Sequence, residues 1–245
     1  MNFEKDTSTI IGRLKKREDI YQSLCNLRDL LDEPVSRKKA IDGGGIEALL
    51  DTFKTCSNED KGITLRIFYH LSLNEEIINQ IVKVDGFKTI AEVFIQSDLD
   101  AQDKIVVTWR YMNGRSKIAR HNLASYQDFK FIRSLRSYVE RSPHIQLRQN
   151  AAGMLLYFAG LIKPEDQEAV KYAAREVIFP AIRNDSTEEV ERIIALDCCM
   201  IASSIDTSRP LLLEMGVKEL VQKFINNPDS DMGFVGCFIQ ALLSA

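Results

Sequence analysis

Residues 40–53 read AIDGGGIEALLDTF, a run of three glycines placed directly before an amphipathic segment. In that segment Ile46, Leu49, Leu50 and Phe53 recur every three or four residues, which is typical of one face of a helix. No strand pattern precedes the glycines, so they are not those of a phosphate-binding loop. The stretch therefore predicts a sharp break between two helices, where glycine supplies the backbone freedom.

The same arrangement recurs along the chain. KVDGFKTIAEVF at residues 83–94 and LEMGVKELVQKF at residues 213–224 also place a glycine before an amphipathic helix. Longer helical patterns lie between these units, and their alignment brings five residues to equivalent positions: Asn26, His70, Arg110, Tyr157 and Met200. The intervals are 44, 40, 47 and 43 residues. Such a period, with two or three helices per unit, is the pattern of armadillo and HEAT solenoids.

Two kinds of segment carry a resemblance to the armadillo family. AIDGGGIEALLDTF resembles the turn and second helix of an armadillo repeat, where Gly-Gly-Ile-x-x-Leu is typical, and SLCNLRDL and YHLSLNEE resemble its long third helix. Asn26 alone keeps the asparagine of that helix. The resemblance covers residues 18–245 and implies a right-handed superhelix whose third helices line a concave groove that binds partners.

The predicted fold is an all-α, right-handed α-solenoid of about five armadillo-like repeats with a C-terminal capping helix. We expect one domain over residues 1–245, with residues 1–17 as a flanking segment or cap. The predicted repeats cover residues 18–57, 58–98, 99–141, 142–185 and 186–228, and the final helix covers residues 230–245. That last apolar helix either caps the domain or continues into a longer solenoid.

The charge distribution is uneven although the net charge is only −3. Residues 104–150 hold 10 bases and 2 acids, whereas residues 42–103 carry a net charge of −7 and residues 151–245 one of −6. We call the bases of the central block the basic belt: Lys104, Arg110, Arg115, Lys117, Arg120, Lys130, Arg133, Arg136, Arg141 and Arg148. Arginine suits bidentate contacts with carboxylates or phosphates. The alternative is that these side chains are solvated or pair with acids of neighbouring repeats.

The resemblance also implies which residues face the groove, namely the asparagine position and the position four residues before it. These residues are Gln22, Asn26, Arg66, His70, Val106, Arg110, Gly153, Tyr157, Leu196 and Met200. Arg66, His70 and Arg110 would then form a basic strip. Tyr157 would offer an aromatic ring beside a shallow pocket at Gly153, and Met200 an adaptable apolar contact.

These features predict a non-enzymatic scaffold or adaptor that binds an acidic or phosphorylated protein segment in a basic groove. One alternative is a chaperone cofactor that grips a folded chaperone domain and promotes nucleotide exchange. Nucleic-acid binding by the basic belt is the third possibility, and the acidic flanks disfavour it. Nucleic-acid binding would show itself as an affinity that falls steeply as the salt concentration rises.

No motif for catalysis, a metal or a cofactor is present. HExxH, GxSxG, a phosphate-binding loop and CxxC pairs are all missing, and His70, His121 and His144 lack ligands at metal spacing. The adjacent Cys198 and Cys199 lie among apolar residues and are expected in the core as reduced thiols. The longest apolar stretch, residues 151–162, is shorter than the roughly 20 residues that cross a membrane. We expect a cytoplasmic protein, and access to the nucleus stays open.

Overall fold

The computed structural model describes residues 7–31, 33–71, 75–226 and 230–244, with the backbone alone at residues 71, 75, 76, 108, 111 and 115. Every regular element in these ranges is a helix. The chain divides into two compact units, residues 1–112 and residues 113–245, which we call the N-terminal and the C-terminal unit. The predicted domain and repeat boundaries stay predictions, and each unit is described by itself.

The N-terminal unit is built from helices of 9 to 17 residues. They are α1 (Thr7–Lys16), α2 (Ile20–Leu30), α3 (Pro34–Asp42), α4 (Gly45–Thr55), α5 (Asn58–Leu71), α6 (Glu75–Lys83), α7 (Gly86–Gln96) and α8 (Leu99–Arg115), whose last turn belongs to the C-terminal unit. Helix α2 packs on α5, and α1 and α7 pack on the two sides of α4. Helices at equivalent places in successive repeats therefore stack, and Leu27, Phe53 and Phe68 are fully buried between them.

The C-terminal unit is also built from successive short and long helices. Its helices are α9 (Lys117–Ala124), α10 (Lys130–Arg141), α11 (Ile145–Tyr157), α12 (Gln167–Ala173), α13 (Phe179–Arg183), α14 (Glu189–Ser203), α15 (Arg209–Glu214), α16 (Val217–Ile225) and α17 (Asp231–Ser244). A 3₁₀ turn at Pro164–Asp166 precedes α12, and a π-helical turn at Ala174–Ile178 joins α12 to α13. Helix α14 packs between α11 and α17. We call α2, α5, α8, α11, α14 and α17 the third helices.

The predicted helix breaks are present at the start of four amphipathic helices. In each case the residue directly before the helix has a left-handed backbone: Gly44 (φ 76°), Asp85 (φ 54°), Phe129 (φ 64°) and Gly216 (φ 78°). Glycine adopts this conformation without the steric cost that a side chain brings. At Gly45 a Cβ would stand 2.5 Å from the Ala40 carbonyl oxygen, so the chain approaches itself too closely there for a larger residue.

Candidate functional site

A polar strip lies on two neighbouring third helices of the N-terminal unit. Gln22 is exposed on α2, and its Nε2 donates a hydrogen bond of 3.0 Å to Oδ1 of the half-buried Asn26. Arg66 and His70 are exposed at the matching places on α5, which packs against α2. We call Gln22, Asn26, Arg66 and His70 the polar strip. That these four residues form one surface and bind a partner stays a prediction.

Further exposed groups lie on α2 and α8. Tyr21 on α2 is 52% exposed. Lys104 on α8 is exposed, and its Cβ lies 3.8 Å from where a Cβ on Gly62 of α5 would stand. Val107 follows Lys104 by one helical turn and is 40% exposed. The surface thus combines amide groups, positive charge and apolar contact.

Arg110 was predicted to face the groove, but the structure buries it. Its side chain is 3% exposed, and Val106 and Trp109 on the same face of α8 are also buried. The exposed face of α8 passes instead through Lys104 and Val107, so the alignment of this helix is one residue out of register. One residue turns a helix by 100°, which is enough to bring a groove position into the core. The side chain of Arg115, also predicted on the belt, lies outside the described residues.

Tyr157 is also corrected by the structure, because it is fully buried. No shallow pocket lies beside it at Gly153. A Cβ on Gly153 would overlap Cys198 Sγ and stand 3.0 Å from Cys198 Cβ, so α14 occupies that space. The main-chain oxygen of Tyr157 accepts a hydrogen bond of 3.2 Å from Ser208 Oγ. Every residue from 149 to 159 is buried, because the alanines and glycine of α11 allow its neighbours to approach closely.

Arg120 of the basic belt has a structural role. Its Nη1 donates hydrogen bonds of 2.7 Å and 3.1 Å to the main-chain oxygens of Asn113 and Gly114, at the end of α8. Those oxygens lack partners within their own helix, and a cation suits the negative end of the helix dipole. Burial lowers the pKa of the Arg120 guanidinium. The prediction that Arg120 is available to a partner is therefore wrong.

Arg133 and Arg136 of the belt pair with residues of the same unit. Arg133 lies 3.3 Å from an Asp166 carboxylate oxygen and donates a hydrogen bond of 2.6 Å to the main-chain oxygen of Asp128. Arg136 lies 2.9 Å from Glu140 and stacks over the Tyr172 ring at 4.7 Å. Both arginines therefore pair with acidic residues of the protein, which is the alternative to binding a partner.

Lys117 on α9 and Lys130 on α10 are exposed. Neither helix is a third helix, whereas the belt residues Lys104 and Arg110 lie on α8 and Arg148 lies on α11. The bases of residues 104–150 are thus distributed over four helices, α8 to α11, and Arg110 and Arg120 among them are buried.

A second surface was missed from the sequence, on α14 and α17. Val190 and Ile193 of α14 are 55% and 41% exposed, and Phe234 and Phe238 of α17 are 65% and 45% exposed. Met200, predicted as a groove contact, is half-buried on α14. The signal that could have found this surface is the pair of phenylalanines four residues apart in a segment free of basic residues.

Few side chains in the described parts of the chain are suited to catalysis. No group of three His, Cys, Asp or Glu side chains there could hold a metal ion. Burial raises the pKa of the Cys56 thiol to about 11 and also raises the pKa of Cys199, so both thiols are poor nucleophiles. None of the described helices has the length and apolar character needed to cross a membrane.

Comparison with known proteins identifies the fold. No protein-family model matches this sequence, and no curated protein matches it significantly. Among solved structures, an engineered protein superposes with a TM-score of 0.68 at 18% identity, over 100% of this chain and 97% of that chain. A designed armadillo repeat protein in complex with the peptide (KR)4 gives a TM-score of 0.62 at 13% identity, over 97% and 99% of the two chains. The chain has the armadillo fold.

A further neighbour supports this assignment. Computationally designed armadillo repeat proteins for modular peptide recognition match with a TM-score of 0.61 at 13% identity, over 96% of this chain and 98% of that chain. The predicted all-α armadillo-like solenoid is thereby confirmed. The polar strip and the surface on α14 and α17 both lie on third helices.

Proposed function

We propose that this protein is a non-enzymatic scaffold that binds an extended segment of a partner protein along the polar strip. The observation that supports the proposal is the packing of α2 against α5, with Gln22, Arg66 and His70 exposed on these two helices. Two structural neighbours are armadillo designs described as a peptide complex and as modules for peptide recognition. Their likeness supports protein binding as the kind of function.

The amides of the strip suit an extended chain. A bound extended segment has main-chain N–H and C=O groups that need new hydrogen-bond partners. Gln22 and Asn26 each carry both donor and acceptor atoms, and their mutual hydrogen bond is exposed to solvent and open to exchange. The side-chain amides can therefore hold a partner's backbone with little dependence on its sequence.

The charge of the strip favours an acidic or phosphorylated segment. Arg66 and Lys104 are exposed cations on adjacent third helices, and the Arg66 guanidinium can form paired hydrogen bonds with a carboxylate or phosphate. The peptide in the designed complex is the basic (KR)4. A positive strip would repel such a peptide, so we expect this protein to prefer the opposite charge.

The test is fluorescence anisotropy with three extended peptides, one carrying phosphoserines, one carrying glutamates and one of alternating Lys and Arg. We expect the phosphoserine peptide to bind best and Arg66→Glu to weaken it at least tenfold, about 1.4 kcal/mol. Lys130→Glu makes the same charge change on α10 and is the matched control, with an expected effect below twofold. Equal losses in both variants, or preferred binding of the Lys/Arg peptide, would contradict the proposal.

A further inference from the structure

The exposed side chains of α14 and α17 are mainly apolar. Apart from the terminal residues of the two helices, every exposed side chain on them is apolar, and polar residues such as Asp197 and Gln240 are half-buried. The exposed residues are Val190, Ile193, Phe234, Phe238 and Ala241. We call these five residues the apolar surface. Scattered exposed apolar side chains are normal, but a concentration on two adjoining helices marks an interaction site.

The two helices present this surface in the same register. Buried positions repeat at an interval of 41 residues, as the pairs Ala195 and Gly236, Cys198 and Ile239, and Ala202 and Leu243. The same interval relates Ile193 to Phe234 and Asp197 to Phe238. Because α14 packs directly on α17, these matching positions lie on neighbouring helices that face the same way. The exposed side chains therefore form two adjacent ridges.

The border of the apolar surface is acidic. Glu188 and Glu189 are exposed where α14 begins, and Asp231 is exposed where α17 begins. The single base of α14 is Arg192, and its Nη2 donates hydrogen bonds of 3.0 to 3.2 Å to main-chain oxygens of the preceding turn. Helix α17 carries no base at all. A partner on this surface gains from positive charge beside its apolar face.

The chemistry of the surface favours a helix over an extended segment. An extended segment leaves main-chain groups unpaired unless the surface supplies hydrogen bonds, as the amides of the polar strip do. Here Ile193, Phe234 and Phe238 offer none, and the half-buried Asp197, which matches Phe238, offers acceptors but no donor. A helix satisfies its own main chain, and the spacing of four residues between Phe234 and Phe238 forms a ridge that fits the grooves of another helix.

We propose that the C-terminal unit binds a basic amphipathic helix of a partner protein on α14 and α17. The apolar face of that helix covers Ile193, Phe234 and Phe238, and its basic flank lies beside Glu189 and Asp231. This site is independent of the proposed function, because the polar strip lies in the other unit. The partner would resemble other amphipathic helices that seat residues i, i+3, i+4 and i+7 in an apolar groove.

The probe is a fluorescein-labelled Leu/Lys peptide of about 18 residues with its leucines on one helical face. A second Leu/Lys peptide of the same composition alternates the two residues, and a third replaces lysine by glutamate. We expect the first peptide to bind at least tenfold more tightly than either control, with the anisotropy change accompanied by a gain in peptide helicity. Equal affinity for the alternating or the Leu/Glu peptide would overturn the proposal.

Variants locate the site. Phe234→Ser/Phe238→Ser should weaken the Leu/Lys helix at least tenfold, and Glu189→Lys/Asp231→Lys at least fivefold. Val35→Ser/Leu213→Ser removes equally exposed apolar side chains elsewhere and should change the affinity less than twofold. Circular dichroism checks that each variant is folded. Unchanged binding by the Phe234→Ser/Phe238→Ser protein refutes the site, and so does a wild-type dimer that this double variant dissociates, since a second copy would then cover the surface.

Discussion

Gly153→Ala tests the close contact between two third helices on which the C-terminal unit depends. The new Cβ would overlap Cys198 Sγ and stand 3.0 Å from Cys198 Cβ, whereas carbon atoms pack best at about 3.5–4.0 Å. Both atoms lie on well-packed helices, so we take the upper end of the overpacking cost, about 3 kcal/mol. Alanine favours the helix by about 1 kcal/mol over glycine. The net expectation is a loss of about 2 kcal/mol in the free energy of unfolding.

Gly62→Ala is the matched control on α5. Its Cβ would meet nothing nearer than Lys104 Cβ at 3.8 Å, an ordinary contact, so helix propensity alone should act. We expect a gain of up to about 1 kcal/mol there. Urea unfolding followed by far-ultraviolet circular dichroism measures both changes.

A double-mutant cycle separates the contact from other effects of Gly153→Ala. In a Cys198→Ala background the sulfur is absent but the 3.0 Å approach to Cβ remains, so the substitution should cost about 1 kcal/mol instead of about 2. The reasoning fails if Gly153→Ala is no more destabilising than Gly62→Ala, or if it costs the same in both backgrounds.

The remaining predictions concern the helix breaks, the buried arginine and the thiols. Asp85→Gly should raise the free energy of unfolding by up to about 1 kcal/mol, because φ is 54° there, and a loss in urea unfolding would contradict this. Arg120→Met should lower it by about 2 kcal/mol through the lost hydrogen bonds to the end of α8, and a neutral result would refute that role. Cys56 and Cys199 should resist iodoacetamide at pH 8, with Cys56 gaining reactivity as the pH nears its pKa of about 11. Peptide mass spectrometry against unfolded protein checks this, and equal rates would contradict it.

The fold could be predicted because its signals are local. Helix breaks and apolar spacing of three and four residues depend only on neighbouring residues, and both are present at α4, α7 and α16, although at α7 the left-handed residue is Asp85 and not the predicted glycine. The exposure of Gln22, Arg66 and His70 was expected from the resemblance to the armadillo family, and their role in binding stays a prediction. Gln22 and Arg66 lie on amphipathic helices whose exposed faces the sequence defines well.

The rest of the site depends on contacts that the sequence does not specify. Helix α8 has apolar residues on more than one face. Its sequence was therefore aligned with the other third helices one residue out of register, and the buried Arg110 was predicted to face the groove. Helix α11 is rich in small residues, and only the tertiary contact with Cys198 shows that Gly153 is covered. Helix α17 is apolar on all sides, and the one sequence signal for its exposed face is the pair Phe234 and Phe238, four residues apart in a segment free of basic residues.

Site-specific photo-cross-linking tests the proposed binding surface most directly. A photoreactive amino acid replaces His70 on the polar strip in one protein and Lys130 on α10 in another, and each is irradiated with the phosphoserine peptide. Both positions are exposed, so the substitutions leave the core intact. We predict efficient, saturable capture from position 70, abolished by excess unlabelled peptide, and only background capture from position 130. Equal capture from both positions, or capture from position 130 alone, would contradict binding on the polar strip.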